Sequence, residues 1–235
     1  MKFKRILLKL SGESLGGEKG YGFDAARLSY FAEEIKKAWA LGCEIGLVPG
    51  GGNIFRGARN EGLNTGRVCG DYMGMLGTLI NAMALQDELE RRKVPTALFS
   101  GLQVDRLCDH PTEARIKAAL ADKKVVLLAG GTGNPFFTTD SAAALRAAEM
   151  EADVLLKGTR VDGIYSDDPE KNPGAEKYKR ITFSQAINEN LKIMDTTAFT
   201  LCRENNIPIL VFDFSQAGAL QKIVQGENIG SMVCP

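Results

Sequence analysis

The sequence predicts an α/β domain on a mainly parallel sheet, on three observations. Short apolar runs alternate with helical patterns from end to end, the first two runs enclose a helix to make a β-α-β unit, and three glycine-rich turns each follow a candidate strand. The candidate strands are residues 6–10, 45–48, 96–99, 125–128, 154–156 and 209–212. Between the first two, Asp24 is suited to cap a helix with Leu28, Phe31, Ile35 and Ala38 on one face and Gly42 as its stop. A second helix is expected from near Asp71 to about Arg92, with Leu76, Ile80 and Met83 toward the core, before Pro95 introduces the third strand. Residues 141–150 read as an Ala-rich helix whose small side chains permit tight packing on a sheet. The polar stretch 166–180, with Pro169, Pro173 and Gly174, reads as a long surface loop. Loops of that length tend to be functional, and this one is a natural divide between a part that holds one substrate and a part that holds another.

At 235 residues and 44% hydrophobic composition the chain can bury a full core. Lys plus Arg and Asp plus Glu both number 29, so no global positive field draws it to nucleic acid or an acidic membrane, and any anion site must be local. The apolar runs fall short of the about 18 residues that span a bilayer, and residues 1–9 do not resemble a signal peptide, so a cytoplasmic protein is expected. Cys43, Cys69, Cys108, Cys202 and Cys234 are odd in number and scattered, which argues against zinc and disulfides and for reduced, mostly buried thiols.

The turns Lys9-Leu10-Ser11-Gly12-Glu13, Gly50-Gly51-Gly52-Asn53 and Gly130-Gly131-Thr132-Gly133-Asn134 end the first, second and fourth strands. Open parallel sheets bind ligands at the carboxyl ends of their strands, and glycine lets backbone N–H groups approach an anion, so phosphate binding is the natural use. Neither GxxxxGK[ST] nor GxGxxG is present, which disfavours a P-loop or Rossmann enzyme. Lys9 and Lys157 each end a strand where an ammonium could neutralise a transferring phosphoryl group, and Arg56 is a further phosphate candidate. Asp140 and Asp71 each stand at the start of a helix, where capping competes with catalysis or ligand binding. Tyr165, in the run 161–169, could flank a purine, with the neighbouring acidic residues serving a ribose or a solvated Mg²⁺.

Together with Gly50-Gly51-Gly52-Asn53-Ile54-Phe55-Arg56-Gly57, Gly131-Thr132-Gly133-Asn134-Pro135-Phe136-Phe137-Thr138-Thr139-Asp140 and Val161-Asp162-Gly163, the first turn resembles the bacterial uridylate kinases of the amino acid kinase superfamily. The likeness runs through essentially the whole chain. It implies a single domain, 1–235, with a three-layer αβα sandwich around a mainly parallel sheet, a UMP side at about 1–155 and an ATP side at about 156–235. ATP would be held by Lys9, Leu10, Ser11, Gly12, Gly52 and Arg56 at its phosphates and by Thr159, Tyr165 and Asp168 at its nucleoside. UMP would be held by Gly51, Asp71, Thr132, Gly133, Asn134, Pro135, Phe136, Phe137, Thr138 and Thr139. Lys9, Asp140 and Lys157 would be catalytic.

The resemblance further implies Mg²⁺ with ATP, UTP inhibition, activation by GTP through Gly17, Glu18, Lys19, Gly20, Tyr21 and Gly22, and a homohexamer. The implied reaction is in-line transfer of the γ-phosphate to UMP in pyrimidine nucleotide biosynthesis, without a phosphoenzyme. Two other readings are a superfamily kinase acting on a carboxylate or carbamate, and a non-catalytic nucleotide-binding protein. The loop 134–139 and Asp71 argue against the first, and the retained Lys9, Asp140 and Lys157 against the second.

Overall fold

The computed structural model describes residues 1–55, 65–167, 169, 171–172, 174–191 and 193–234. In chain order these form β1 (Arg5–Leu10), a 3-10 segment (Gly12–Lys19), α1 (Ala25–Ala40), β2 (Glu44–Pro49), α2 (Arg67–Arg91), β3 (Thr96–Ser100), α3 (Glu113–Ala121), β4 (Val125–Ala129) and α4 (Thr139–Glu149). There follow β5 (Val154–Thr159), β6 (Ile164–Tyr165), β7 (Lys177–Tyr178), β8 (Arg180–Thr182), α5 (Phe183–Asn188), α6 (Thr196–Glu204), β9 (Ile209–Asp213), α7 (Ala219–Gln225) and β10 (Ser231–Cys234).

The main sheet runs β3-β4-β2-β1-β5-β9-β10-β8, and β1 lies near its middle between β2 and β5. All neighbours in it are parallel except β9 and β10. Strand side chains alternate between faces. Leu8, Leu47 and Leu127 therefore join α1, α2 and α7 in one core, while Leu7, Val48 and Leu128 join α3, α4, α5 and α6 in the other. This is the expected αβα sandwich. Asp24 caps α1 by accepting from the Arg27 N–H at 3.0 Å, and Gly42 takes φ +86° just beyond its end. The alanines of α4 do pack closely on the sheet: Ala143, Ala144 and Ala147 are fully buried.

The expected orientation of α2 is wrong. Leu76, Ile80 and Met83 are exposed, and the core takes Met75, Leu79, Ala82, Leu85 and Leu89. The helix carries two apolar stripes one residue apart, so periodicity alone cannot choose between them. Backbone approach chooses: a Cβ on Gly51 would lie 2.5 Å from Gly74 O, and one on Gly77 would lie 3.2 Å from Gly51 O. Only the face with Gly74 and Gly77 can reach the glycine turn. By length and composition this helix also meets the threshold for crossing a membrane, which the reading of short apolar runs overlooked, but its packing on the sheet makes it a core helix.

The stretch 166–180 is not wholly loop, since β7 within it pairs antiparallel with β6. The cysteines are all free, but only Cys43 and Cys202 are buried, and burial pushes both thiols up to about 12. Cys69 is exposed, and Cys108 and Cys234 are half-buried.

Candidate active site

Parallel register sets Lys9 of β1 directly beside Lys157 of β5 at the carboxyl ends of the central strands. Two ammonium groups so placed repel unless an anion lies between them. Asp140, in the first turn of α4, supplies it. Lys9 Nζ is 2.7 Å from Asp140 Oδ1, Lys157 Nζ is 2.8 Å from Oδ2, and all three side chains are less than a fifth exposed. Lys157 also donates to Ile193 O at 2.7 Å. Each Asp140 oxygen thus lies against one ammonium group.

Burial raises the Asp140 pKa, but the Lys9 and Lys157 charges outweigh it and hold the carboxyl below the usual range. Burial lowers that of Lys157; Asp140 opposes the shift and Lys9 adds to it. The competing capping role of Asp140 falls away, because the Thr138 hydroxyl caps α4 by accepting from the Asp140 and Ser141 N–H groups at 3.0 and 3.2 Å. Thr138 and Ser141 in turn donate to Asp195, which caps α6 at the Ala198 N–H. No spacing in the sequence pointed to Asp195.

Next to this cluster the glycine turns touch through their backbones. A Cβ on Gly12 would lie 2.7 Å from Gly50 O and 2.8 Å from Gly52 N. Ser11 and Gly12 open the 3-10 segment after β1. Leu10 is in the core, and its carbonyl accepts from Gly50 N–H at 2.7 Å, so its side chain is not offered to a ligand.

A cavity of about 510 Å³ opens between the glycine turn, α2 and the start of α4. Gly51, Asp71, Phe137, Thr138 and Thr139, all expected at UMP, line it together with Gly52, which was expected at the ATP phosphates. Arg67, Met75, Thr78 and Gly131 also line it and were missed, being unremarkable residues on a helix whose face was misjudged and in a turn. Asp71 lies a turn inside α2 and is no cap. It accepts from Arg67 Nε at 2.9 Å and from the Phe136 N–H at 2.7 Å; burial raises its pKa, and these partners overcome that to hold it low. Arg67 also lies over the Phe136 ring. Thr132, Gly133, Asn134 and Pro135 are not among the lining residues: Asn134 N–H donates to Thr132 Oγ1 in a local turn.

On the other side of Lys157, a cavity of about 190 Å³ is lined by Thr159, Tyr165 and the apolar Ile164, Leu191, Ile193 and Val211. The apolar lining was missed because it gathers single residues from distant segments. Tyr165 OH and Lys177 Nζ both donate to Asp162 at 2.7 Å, fixing the tyrosine at the rim. The residues 17–22 form the end of the 3-10 segment and the turn after it, beside a third cavity of about 490 Å³ against α1. Arg56 and Asp168 lie outside the described residues.

The model of the family described as "Amino acid kinase family" matches residues 4–213. The chain belongs to the amino acid kinase family. Among relatives within it, the uridylate kinase of Pseudoalteromonas atlantica is 50% identical over 232 residues, covering 99% of this chain and 94% of that protein. Among solved structures, the UMP kinase from Bacillus anthracis superposes with a TM-score of 0.96 at 34% identity, covering 100% of this chain and 97% of that one. The UMP kinase from Ureaplasma parvum gives 0.93 at 38% identity, with complete coverage of both chains.

Among the described residues no group of three or more His, Cys, Asp or Glu side chains is placed to hold a metal. A cation arriving with nucleotide phosphates would meet a single carboxylate here, Asp140, whose two oxygens already lie against Lys9 and Lys157.

Proposed function

We propose that this protein is an ATP-dependent UMP kinase, forming UDP and ADP by direct in-line transfer. The observation that carries the reading is the Lys9–Asp140–Lys157 cluster, with its positive charge focused at the strand ends between two cavities. Phosphoryl transfer asks mainly for positioning and for charge against the equatorial oxygens of the transferring group. Lys9 and Lys157 supply that charge, the Gly12 and Gly52 amides contribute donors, and Asp140 holds both lysines in place. Mg²⁺ bound with ATP would add positive charge against the phosphates.

The cavity at Asp71 receives UMP, where the carboxylate is an acceptor for ribose hydroxyls and Thr138 and Thr139 contact the acceptor nucleotide. The apolar slot at Thr159 and Tyr165 receives the adenosine, with Arg56 and Asp168 completing the nucleotide contacts. The acceptor half thus falls in about 1–155 and the donor half in about 156–235, meeting where β1 pairs with β5.

Regulation by UTP and by GTP, the latter through residues 17–22, and assembly as a cytoplasmic homohexamer belong to the same proposal. The exposed α2 stripe of Val68, Tyr72, Leu76, Ile80 and Met83 supports self-association, since a contiguous apolar strip on one helix face calls for cover. Sedimentation should give a mass several times that of the 25.4 kDa chain.

The deciding experiment offers ATP with UMP, CMP, aspartate, glutamate and acetylglutamate side by side. UDP formation is expected; turnover on an acid alone overturns the reading, and binding of ATP and UMP without turnover makes the protein a nucleotide binder. Initial rates with added GTP and UTP test the regulation.

A further inference from the structure

Two buried amides, Asn53 after the glycine triplet and Asn81 of α2, take no part in the chemistry above, yet they join three segments around the phosphate crevice. Asn53 is 3% exposed and Asn81 fully buried. The side chains pair reciprocally: Asn53 Nδ2 donates to Asn81 Oδ1 at 3.0 Å, and Asn81 Nδ2 donates to Asn53 Oδ1 at 2.6 Å. Each amide spends its second N–H on a backbone carbonyl. Asn81 donates to Gly50 O at 2.6 Å, inside the glycine turn, and Asn53 donates to Gly22 O at 2.7 Å, at the end of the 17–22 turn. The Gly22 N–H returns to Asn53 O at 2.8 Å. Asn53 Oδ1 also packs on Gly12, where an added Cβ would come within 2.6 Å of it.

We infer that the Asn53–Asn81 pair is a positioning device for the phosphoryl-transfer site, setting the Gly12 and Gly50–Gly52 backbones against each other and tying residues 17–22 to them. Only a primary amide supplies both partners at each site, because each side chain must donate twice and accept once. The pair is buried and fully satisfied, so loss of either member leaves carbonyls and an amide without partners. Misplacement of about 1 Å at a reacting centre costs about a hundredfold in rate, so a partial shift of the turn should fall on turnover, where geometry is exacting, more than on acceptor binding, which Gly51 and Gly52 share with Asp71, Thr138 and Thr139. The same link gives any event at residues 17–22 a direct route to the crevice. The inference rests on the UMP kinase reading.

Asn53→Ala and Asn81→Ala, made singly and together in the full chain, test it with ATP and UMP at a temperature where thermal unfolding shows each variant folded. Each single change should lower kcat about tenfold or more with the UMP KM held within about threefold. Because the two act as one unit, the double variant should lose no more than about the worse single one. A folded single variant with kcat within about twofold of the parent, or losses that multiply in the double variant, overturns the inference. If Asn81→Ala does not fold, Asn53→Ser decides on the same kinetic split. Independently of turnover, hydrogen exchange at the Gly22 amide should rise in each variant, and unchanged protection there also overturns it. A parent protein that forms no UDP defeats the reading of function instead.

Discussion

The lysine cluster at the strand ends and the cavity at Asp71 hold their carboxylates in opposite ways. Asp140 is buried between two lysines whose backbones are held side by side by sheet register, so the two strands cannot separate these lysines without breaking β1 from β5. Asp71 sits on a helix at a cavity rim, against an Arg67 that is largely exposed and with a loop amide as its second partner. Transferred charge needs a fixed field, whereas an acceptor nucleotide that enters and leaves needs a rim that can exchange partners.

Lys9→Ala removes the charge most directly aimed at the transfer and should lower kcat by at least about a hundredfold, the scale of losing one transition-state donor. Near-normal turnover would break the fixed-field half of the contrast. Asp140→Ala leaves two adjacent buried cations without a counter-ion, and denaturant unfolding should show a loss of about 3 kcal/mol along with the loss of activity. Asp71→Asn keeps shape but not charge. Its expected effect is about a tenfold rise in UMP KM with a smaller change in kcat; an equal fall in kcat would mean that Asp71 acts in the transition state as well.

Acid titration reports on the buried carboxylate. Asp140 has its pKa lowered in the folded state, so its contribution to stability is present above the unfolded carboxylate value of about 3.9 and is lost as pH falls through the lower folded value. Stability curves from neutral pH downward should therefore lose that acid-side slope in Asp140→Asn. The smallest effect is expected on the outer face of α2. Leu76→Asp should leave the stability of a dissociated chain within about 0.5 kcal/mol, as at other exposed positions, while sedimentation reports loss of assembly.

Much of the lysine cluster was legible because it is written in short contiguous strings. A lysine ending an apolar strand, followed by Ser11-Gly12, already places charge and backbone donors at a strand terminus, and the recurrence at Lys157 needs only the parallel sheet to bring the pair together. Asp140 was recognisable as cap or catalyst but not as which, since the hydroxyl that takes over the capping is two residues away. Asp195, Asn81 and the apolar slot around Ile193 were not legible: each acts through a contact with a segment far along the chain, and no local period marks it.

By itself the sequence determined the α/β class on a mainly parallel sheet, the six principal strands, the position of the glycine turns and the two lysines at strand ends, because alternation, capping and turn chemistry are local properties, while the three-layer arrangement and the role of Asp140 came with the family resemblance. Only the tertiary structure decided which stripe of α2 faces the sheet, which partner frees Asp140 from its helix, and that two buried asparagines join the turns. Those depend on how closely two backbones approach and on which carbonyls are left needing donors, and both are settled when distant segments meet.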